Sequence, residues 1–149
     1  MTTSSILTDI LCHSEAESLI AELRAEADAV MPRLASNPRA VREMNKLDSV
    51  IRESMRLNPL MGRGLQREVV QPGGISTPGG QFLPQGTHIC APLSSRARDA
   101  EVWERPDEFV PLRFYKSPED LKANEEDKQW SAVHVTESFL SFGLGRHAW

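Results

Sequence analysis

Three proline–glycine clusters, Pro72-Gly73-Gly74, Pro78-Gly79-Gly80 and Pro84-Gln85-Gly86, divide this chain into parts that fold by different rules. Proline fixes φ and removes a backbone donor, and glycine is a poor helix former, so no long helix crosses this stretch and short strands joined by tight turns fit it instead. Upstream the periodicity is helical. Thr2 to Leu11 is a short segment that opens on Thr2-Thr3-Ser4. Ser14, with Glu17 three residues later, has the form of a capping box, so a helix is expected to start there. Leu19, Ile20, Leu23, Ala27 and Val30 then recur at helical spacing, with Glu22, Arg24, Glu26 and Asp28 off the stripe. Pro32 is expected to close this helix. A turn at Ser36-Asn37-Pro38 leads into a second amphipathic stretch with Met44, Leu47, Val50, Ile51 and Ser54 on one face. It ends at Asn58-Pro59, because proline disfavours helix at the residue before it.

Beyond Leu60, strands are expected at Leu65–Val70 and Thr87–Ala91, a short helical turn within 99–114, and a polar, charge-rich loop over 117–129. There are no internal repeats. The expected architecture is mainly α with a small irregular β region, an α+β fold. Its one domain covers 1–149: helical over 1–60, β-rich with short helices over 61–114, loops over 115–149. At 149 residues, 40% hydrophobic and 26% charged, the chain has enough apolar surface for one core. A net charge of -4 with scattered basic residues gives no footprint for a nucleic-acid partner. No apolar run reaches the roughly eighteen residues a membrane span needs. Cys12 and Cys90 lack metal-site spacing and are expected to be free thiols in a reducing compartment, acting as small apolar fillers.

Glu53 and Arg56 lie three apart on one helical face and can pair. As a lone motif this reads as an exposed ion pair of little worth. Arg113 sits among apolar neighbours, where an arginine usually meets a carboxylate and its planar fork favours a bidentate contact. At the far end, Phe142-Gly143-Leu144-Gly145-Arg146-His147-Ala148-Trp149 has the form F-x-x-G-x-[R/H]-x-C, a loop that presents a cysteine thiolate to haem iron, except that Trp149 stands at the cysteine position. An indole offers an N–H donor and no lone pair for iron.

Taken in order, these motifs resemble the cytochrome P450 monooxygenases, the fungal members above all. In that family an E-x-x-R pair locks onto an arginine of a P-E-R-F-like segment; Glu53, Arg56 and Arg113, the last within Pro111-Leu112-Arg113-Phe114, match it. The run GGQFLPQGTHICAPLSSRARDAEVWERPDEF is similar to the family's strand pair and following short helix, and the resemblance covers Thr2 to Ala148. It implies the C-terminal part of that fold, a haem cofactor, a small organic substrate receiving one oxygen atom from dioxygen, and an electron-donating reductase. Thr2 matches a threonine that relays protons to iron-bound dioxygen, or is simply a polar terminus. Arg67 and His147 match contacts to haem propionates, or are a surface arginine and a loop histidine. Gly143 and Gly145 suit close approach to a flat cofactor, and Phe142 would pack under the porphyrin. With Trp149 at the ligand position, no iron ligand is expected and no oxygen activation of the usual kind.

The resemblance also implies that the chain corresponds to about the C-terminal third of a full member, so some helix faces are expected to lack partners. Eukaryotic relatives hang on the cytoplasmic side of a membrane by an N-terminal helix that this sequence lacks. A truncated gene model and a decayed gene copy both fit. So do two other readings: a haem-free interaction or regulatory protein, and a chain that does not accumulate folded.

Overall fold

The computed structural model of this chain describes residues 2–117 and 133–143. Helices α1 (Thr2–Leu11), α2 (Ala16–Leu34) and α3 (Asn45–Leu57) are followed by strands β1 (Gly64–Glu68), β2 (Ile75–Ser76), β3 (Phe82–Leu83) and β4 (His88–Ala91), then by helix α4 (Leu93–Ala97). A 3-10 helix, Pro38–Glu43, links α2 to α3. The helical stripe of α2 does face the core. Leu19 and Leu23 pack with Ile10 of α1 and Val50 of α3, and Val30 packs with Ala40 and Met44.

The ends of α2 differ from the sequence expectation. The helix starts at Ala16, two residues after Ser14, and has no side-chain cap. The turn from α1 is closed instead by His13, whose Nδ1 accepts the Glu15 N–H at 3.2 Å and whose ring meets Phe109 edge-on at 5.9 Å. The local S-x-x-E pattern was therefore overridden by where the chain reverses. Pro32 lies inside α2, which continues to Leu34. So close to the helix end the proline costs one hydrogen bond, and Arg33 holds the last turn by a fork onto Glu43 at 3.2 and 2.8 Å.

Helix α3 also has no cap from its own sequence neighbours. Glu26, on α2, supplies one: its two carboxylate oxygens accept the Lys46 and Leu47 N–H groups at 2.8 and 2.9 Å. A carboxylate there satisfies two orphan donors and meets the positive end of the helix dipole. Glu26→Ala is expected to cost about 1–2 kcal/mol, seen as a lowered urea midpoint by circular dichroism, with Glu26→Gln falling in between. From the other side, Asp9 of α1 accepts the Ser54 hydroxyl at 2.5 Å and the Asn58 amide at 2.8 Å. On the face expected for α3, Met44, Val50 and Ser54 are buried and Leu47 and Ile51 half-buried, while off it Arg52, Glu53 and Arg56 are as enclosed as Val50.

Strands β1 and β4 pair antiparallel, with Arg67 opposite Ile89 and Glu68 opposite His88, and an irregularity between Gly64 and Arg67. Leu65 lies in that irregularity at φ 53°, a left-handed conformation rare for a leucine. β1 ends at Glu68 rather than Val70, although Val69 still bonds to Thr87 through its N–H at 2.9 Å. β2 and β3 form a small hairpin between the proline–glycine clusters. Gly74 is required there: at φ +79° its absent Cβ would lie 2.5 Å from the Leu83 carbonyl oxygen. The short helical turn expected within 99–114 lies at Asp99–Trp103, with further turns at Arg105–Glu108 and Val110–Arg113, and a separate short helix, Leu93–Ala97, precedes it.

Cys12 and Cys90 are free and exposed, so neither fills the core. Leu7, Leu11, Met31, Val70 and Phe82 are more than half exposed. Of the polar loop expected over 117–129, all but Ser117 lies outside the described residues. Among the described residues no helix is long and apolar enough to cross a membrane. The architecture is helices with small antiparallel sheets, an α+β fold.

Candidate functional site

The centre of the molecule is a buried charge network on α3. Glu53 and Arg56 are fully enclosed and one helical turn apart, so their side chains meet as a fork: Nε to Oε2 at 2.8 Å and Nη2 to Oε1 at 2.9 Å. Arg113 brings its Nε to 3.0 Å from both Glu53 oxygens, and the Val110 N–H adds a fourth donor at 3.0 Å. One carboxylate thus faces two guanidiniums. The surplus positive charge is met by backbone carbonyls. Arg56 donates to Ala97 and Pro106 at 2.5 and 2.6 Å and to Glu108 at 3.1 Å. Arg113 donates to Glu104 at 2.5 Å and to Arg105 at 3.1 Å. Five carbonyls of residues 97–108 are therefore wound onto two side chains, which fixes a segment with no regular structure of its own. Arg105 is held at φ 48° while its carbonyl faces Arg113, a local strain that the surrounding bonds over-determine.

Aromatic rings extend this network. Trp103 lies against the Arg56 guanidinium at 5.5 Å and meets Phe114 edge-on at 5.6 Å. Phe114 and Phe139 both face Arg52, whose guanidinium carbon is 4.7 and 4.3 Å from their ring centres. Burial pushes Arg52 down to about 10, with Asp48 one turn earlier opposing the shift, so it remains a cation at neutral pH. Neither Arg52 nor Phe139 stood out from sequence. The available signal was the i, i+4 spacing of Arg52 and Arg56, which puts both cations on one side of α3.

Leu93, Leu140 and Ser141, which line a small pocket together with Arg56, also line an open cleft of about 190 Å³. Leu65, Leu93, Leu140 and Phe142 give it apolar walls, and Arg67, Gly64 and Gly143 also line it. The structure thus brings Arg67, Phe142 and Gly143 to one place. Arg67 is exposed and donates to the Gln66 carbonyl at 2.8 Å, within reach of water and ligand alike. Gly143, at φ +83°, takes a path that a side chain would strain. Thr2, half-buried at the start of α1, is not among the residues lining the cleft. Gly145, His147 and Trp149 lie outside the described residues.

Apolar walls with a single cation at the rim suit the edge of a flat hydrophobic group that carries carboxylates, which is what a porphyrin presents. Iron is a separate matter. Among the described residues no cluster of three or more His, Cys, Asp or Glu side chains is placed to hold a metal ion, and the indole of Trp149 has no lone pair to give.

Comparison with known proteins is consistent along the chain. The family model for cytochrome P450 matches residues 1–148. The chain is 34% identical over 150 residues to the cytochrome P450 monooxygenase polB of Polytolypa hystricis, covering 96% of this chain and 28% of that protein. It is 34% identical over 148 residues to the cytochrome P450 monooxygenase lnaC of Aspergillus flavus, covering 99% of this chain and 28% of that protein. Among solved structures, a zebra fish cytochrome P450 with progesterone superposes with a TM-score of 0.66 at 24% identity, covering 99% of this chain and 30% of that one; this likeness carries the fold. The chain spans 28% of the length of these two curated relatives.

Proposed function

This chain belongs to the cytochrome P450 family, and on that premise we propose that it is the part of a haem-dependent monooxygenase that grips the porphyrin, inactive towards dioxygen as written because Trp149 stands at the cysteine position. Haem with a thiolate ligand supplies the dioxygen chemistry by which one oxygen atom enters a small organic substrate, with electrons from a reductase. The supporting observation is that Arg56 of the network lines a small pocket together with Leu93, Leu140 and Ser141, which also line the cleft that Arg67, Phe142 and Gly143 share.

In this reading the chain's own residues have distinct tasks. Arg67 holds a propionate by a charge-assisted contact. Leu65, Leu93 and Leu140, which line the cleft, would exclude water from the bound group, and by resemblance Phe142 would pack against it. By resemblance, His147 would also contact a propionate, and Gly143 and Gly145 would allow close approach to the flat cofactor. Thr2 is the candidate for moving a proton, again by resemblance. The triad is structural: it holds residues 97–108 in place through their carbonyls, and by resemblance this scaffold would support the cofactor.

The test is to titrate the chain with hemin and to record absorbance spectra oxidised, reduced, and reduced with carbon monoxide. The expected result is hemin uptake without the red-shifted carbon-monoxide band of sulfur-ligated haem, and without oxygenated product. Arg67→Met is expected to weaken uptake about tenfold. A sulfur-ligated band from the unaltered chain, or product, would overturn the inactivity. Cooperative folding with no hemin uptake would favour a haem-free interaction protein, a role for which the exposed Leu7, Leu11 and Met31 are suited.

A further inference from the structure

Arg52 is used by neither the triad nor the cleft wall, yet it is fully enclosed. A guanidinium is costly to bury, and a leucine or methionine would fill similar space without that cost. Its surroundings suggest what the cation does there. Phe114 on one side is fixed to α3: its N–H donates to the Ser49 hydroxyl oxygen at 3.0 Å, and that hydroxyl donates to the Pro111 carbonyl at 2.9 Å. Phe139 on the other side is 2% exposed and directly precedes Leu140, Ser141, Phe142 and Gly143, all of which line the cleft. The two rings lie 6.3 Å apart at 64°, and the Arg52 guanidinium sits in the angle between them. Arginine is suited to this place, being planar, weakly hydrated and able to face two π-systems.

We infer that Arg52 is a positioning residue, which sets the cleft wall at residues 140–143 by clamping Phe139 to the anchored Phe114. The Gly143 N–H returns to the Leu140 carbonyl at 3.0 Å, so the wall is a tight turn beginning one residue after Phe139. A displacement of Phe139 is carried into that turn within four residues. For the cofactor this rests on the porphyrin reading above; for the wall itself it does not.

The experiment compares the unaltered chain with Arg52→Met, Arg52→Lys and Phe139→Leu by site-resolved amide hydrogen exchange and by hemin titration. In Arg52→Met, exchange at 136–143 is expected to rise about tenfold while α1 and α2 keep their protection. Phe139→Leu should do the same, and Arg52→Lys should recover only part, because an ammonium cannot lie flat between two rings. Hemin affinity should fall in step with the exchange. Unchanged exchange at 136–143 in Arg52→Met would overturn the inference. So would loss of protection throughout the chain in both Arg52→Met and Phe139→Leu, which would make Arg52 a general core support. If the unaltered chain takes up no hemin, the porphyrin reading fails, and the exchange measurement still decides the role of Arg52.

Discussion

Glu53→Gln is expected to abolish cooperative unfolding, or to leave a transition weakened by about 3–5 kcal/mol. A chain of this size has about 5–15 kcal/mol in total, so the variant stands near the limit of folding. The reason lies in the donors around the carboxylate. Arg56 points two N–H groups at it, Arg113 a third and Val110 a fourth, all between 2.8 and 3.0 Å. Glutamine keeps one acceptor and turns an NH2 towards donors already in place, while two guanidiniums lose their counter-charge. Breaking a buried pair by removing one partner is far more damaging than never having formed it. Arg113→Met, at the 12%-exposed edge of the network, is expected to cost less than Glu53→Gln because water can replace part of what is lost.

The control is Glu108→Ala. Its carbonyl accepts from Arg56 and survives the substitution, and among the described residues its side chain makes an exposed pair with Arg105 at 3.1 Å. That change should stay within about 0.5 kcal/mol. Urea melts followed by far-ultraviolet circular dichroism separate these outcomes. A Glu53→Gln midpoint equal to that of the unaltered chain would mean that the network contributes nothing to folding.

The helices could be read from sequence where the period was long and unbroken. Leu19, Leu23 and Val30 kept their place in the core because a stripe sustained within a 19-residue helix outweighs local competition. Their ends were harder, since caps depend on where the chain turns. The Ser14 pattern was displaced by a reversal at His13, and the cap of α3 came from Glu26, twenty residues upstream. Glu53, Arg56 and Arg113 could be listed in order, and the structure brings them together. What could not be read is how their charge is balanced. Backbone carbonyls of Ala97, Glu104, Arg105, Pro106 and Glu108 do that work, and a carbonyl leaves no mark on residue identity. Arg52 was obscure for a related reason. On a helix taken alone it belongs to the wetted side, and the return of Phe114 and Phe139 over that side helps to make it interior. The cysteines failed in the opposite direction: a preference for burial says nothing of a residue at a strand edge or just past a helix end.

Trp149→Cys is expected to give hemin-loaded chain the carbon-monoxide band of sulfur-ligated haem that the unaltered chain lacks, a change from absence to presence. A neutral indole has no lone pair to donate to iron and keeps its N–H proton in water, whereas a thiol can donate once it loses its proton. Free cysteine has a pKa of about 8.5, and iron binding draws the proton off, so the band should grow as pH rises towards that value. Two native thiols complicate the reading, because Cys12, just past α1, and Cys90, on β4, are both exposed and free to meet hemin. The measurement therefore belongs in a Cys12→Ser, Cys90→Ser background, where position 149 carries the one remaining thiol. Neither side chain is buried, so this background should fold as the parent does. A sulfur band already present in that background would show that the ligand is not at 149. Hemin uptake by Trp149→Cys with no sulfur band would show that the terminal loop does not carry position 149 to the iron, and restoring the thiol would then be insufficient to restore the chemistry.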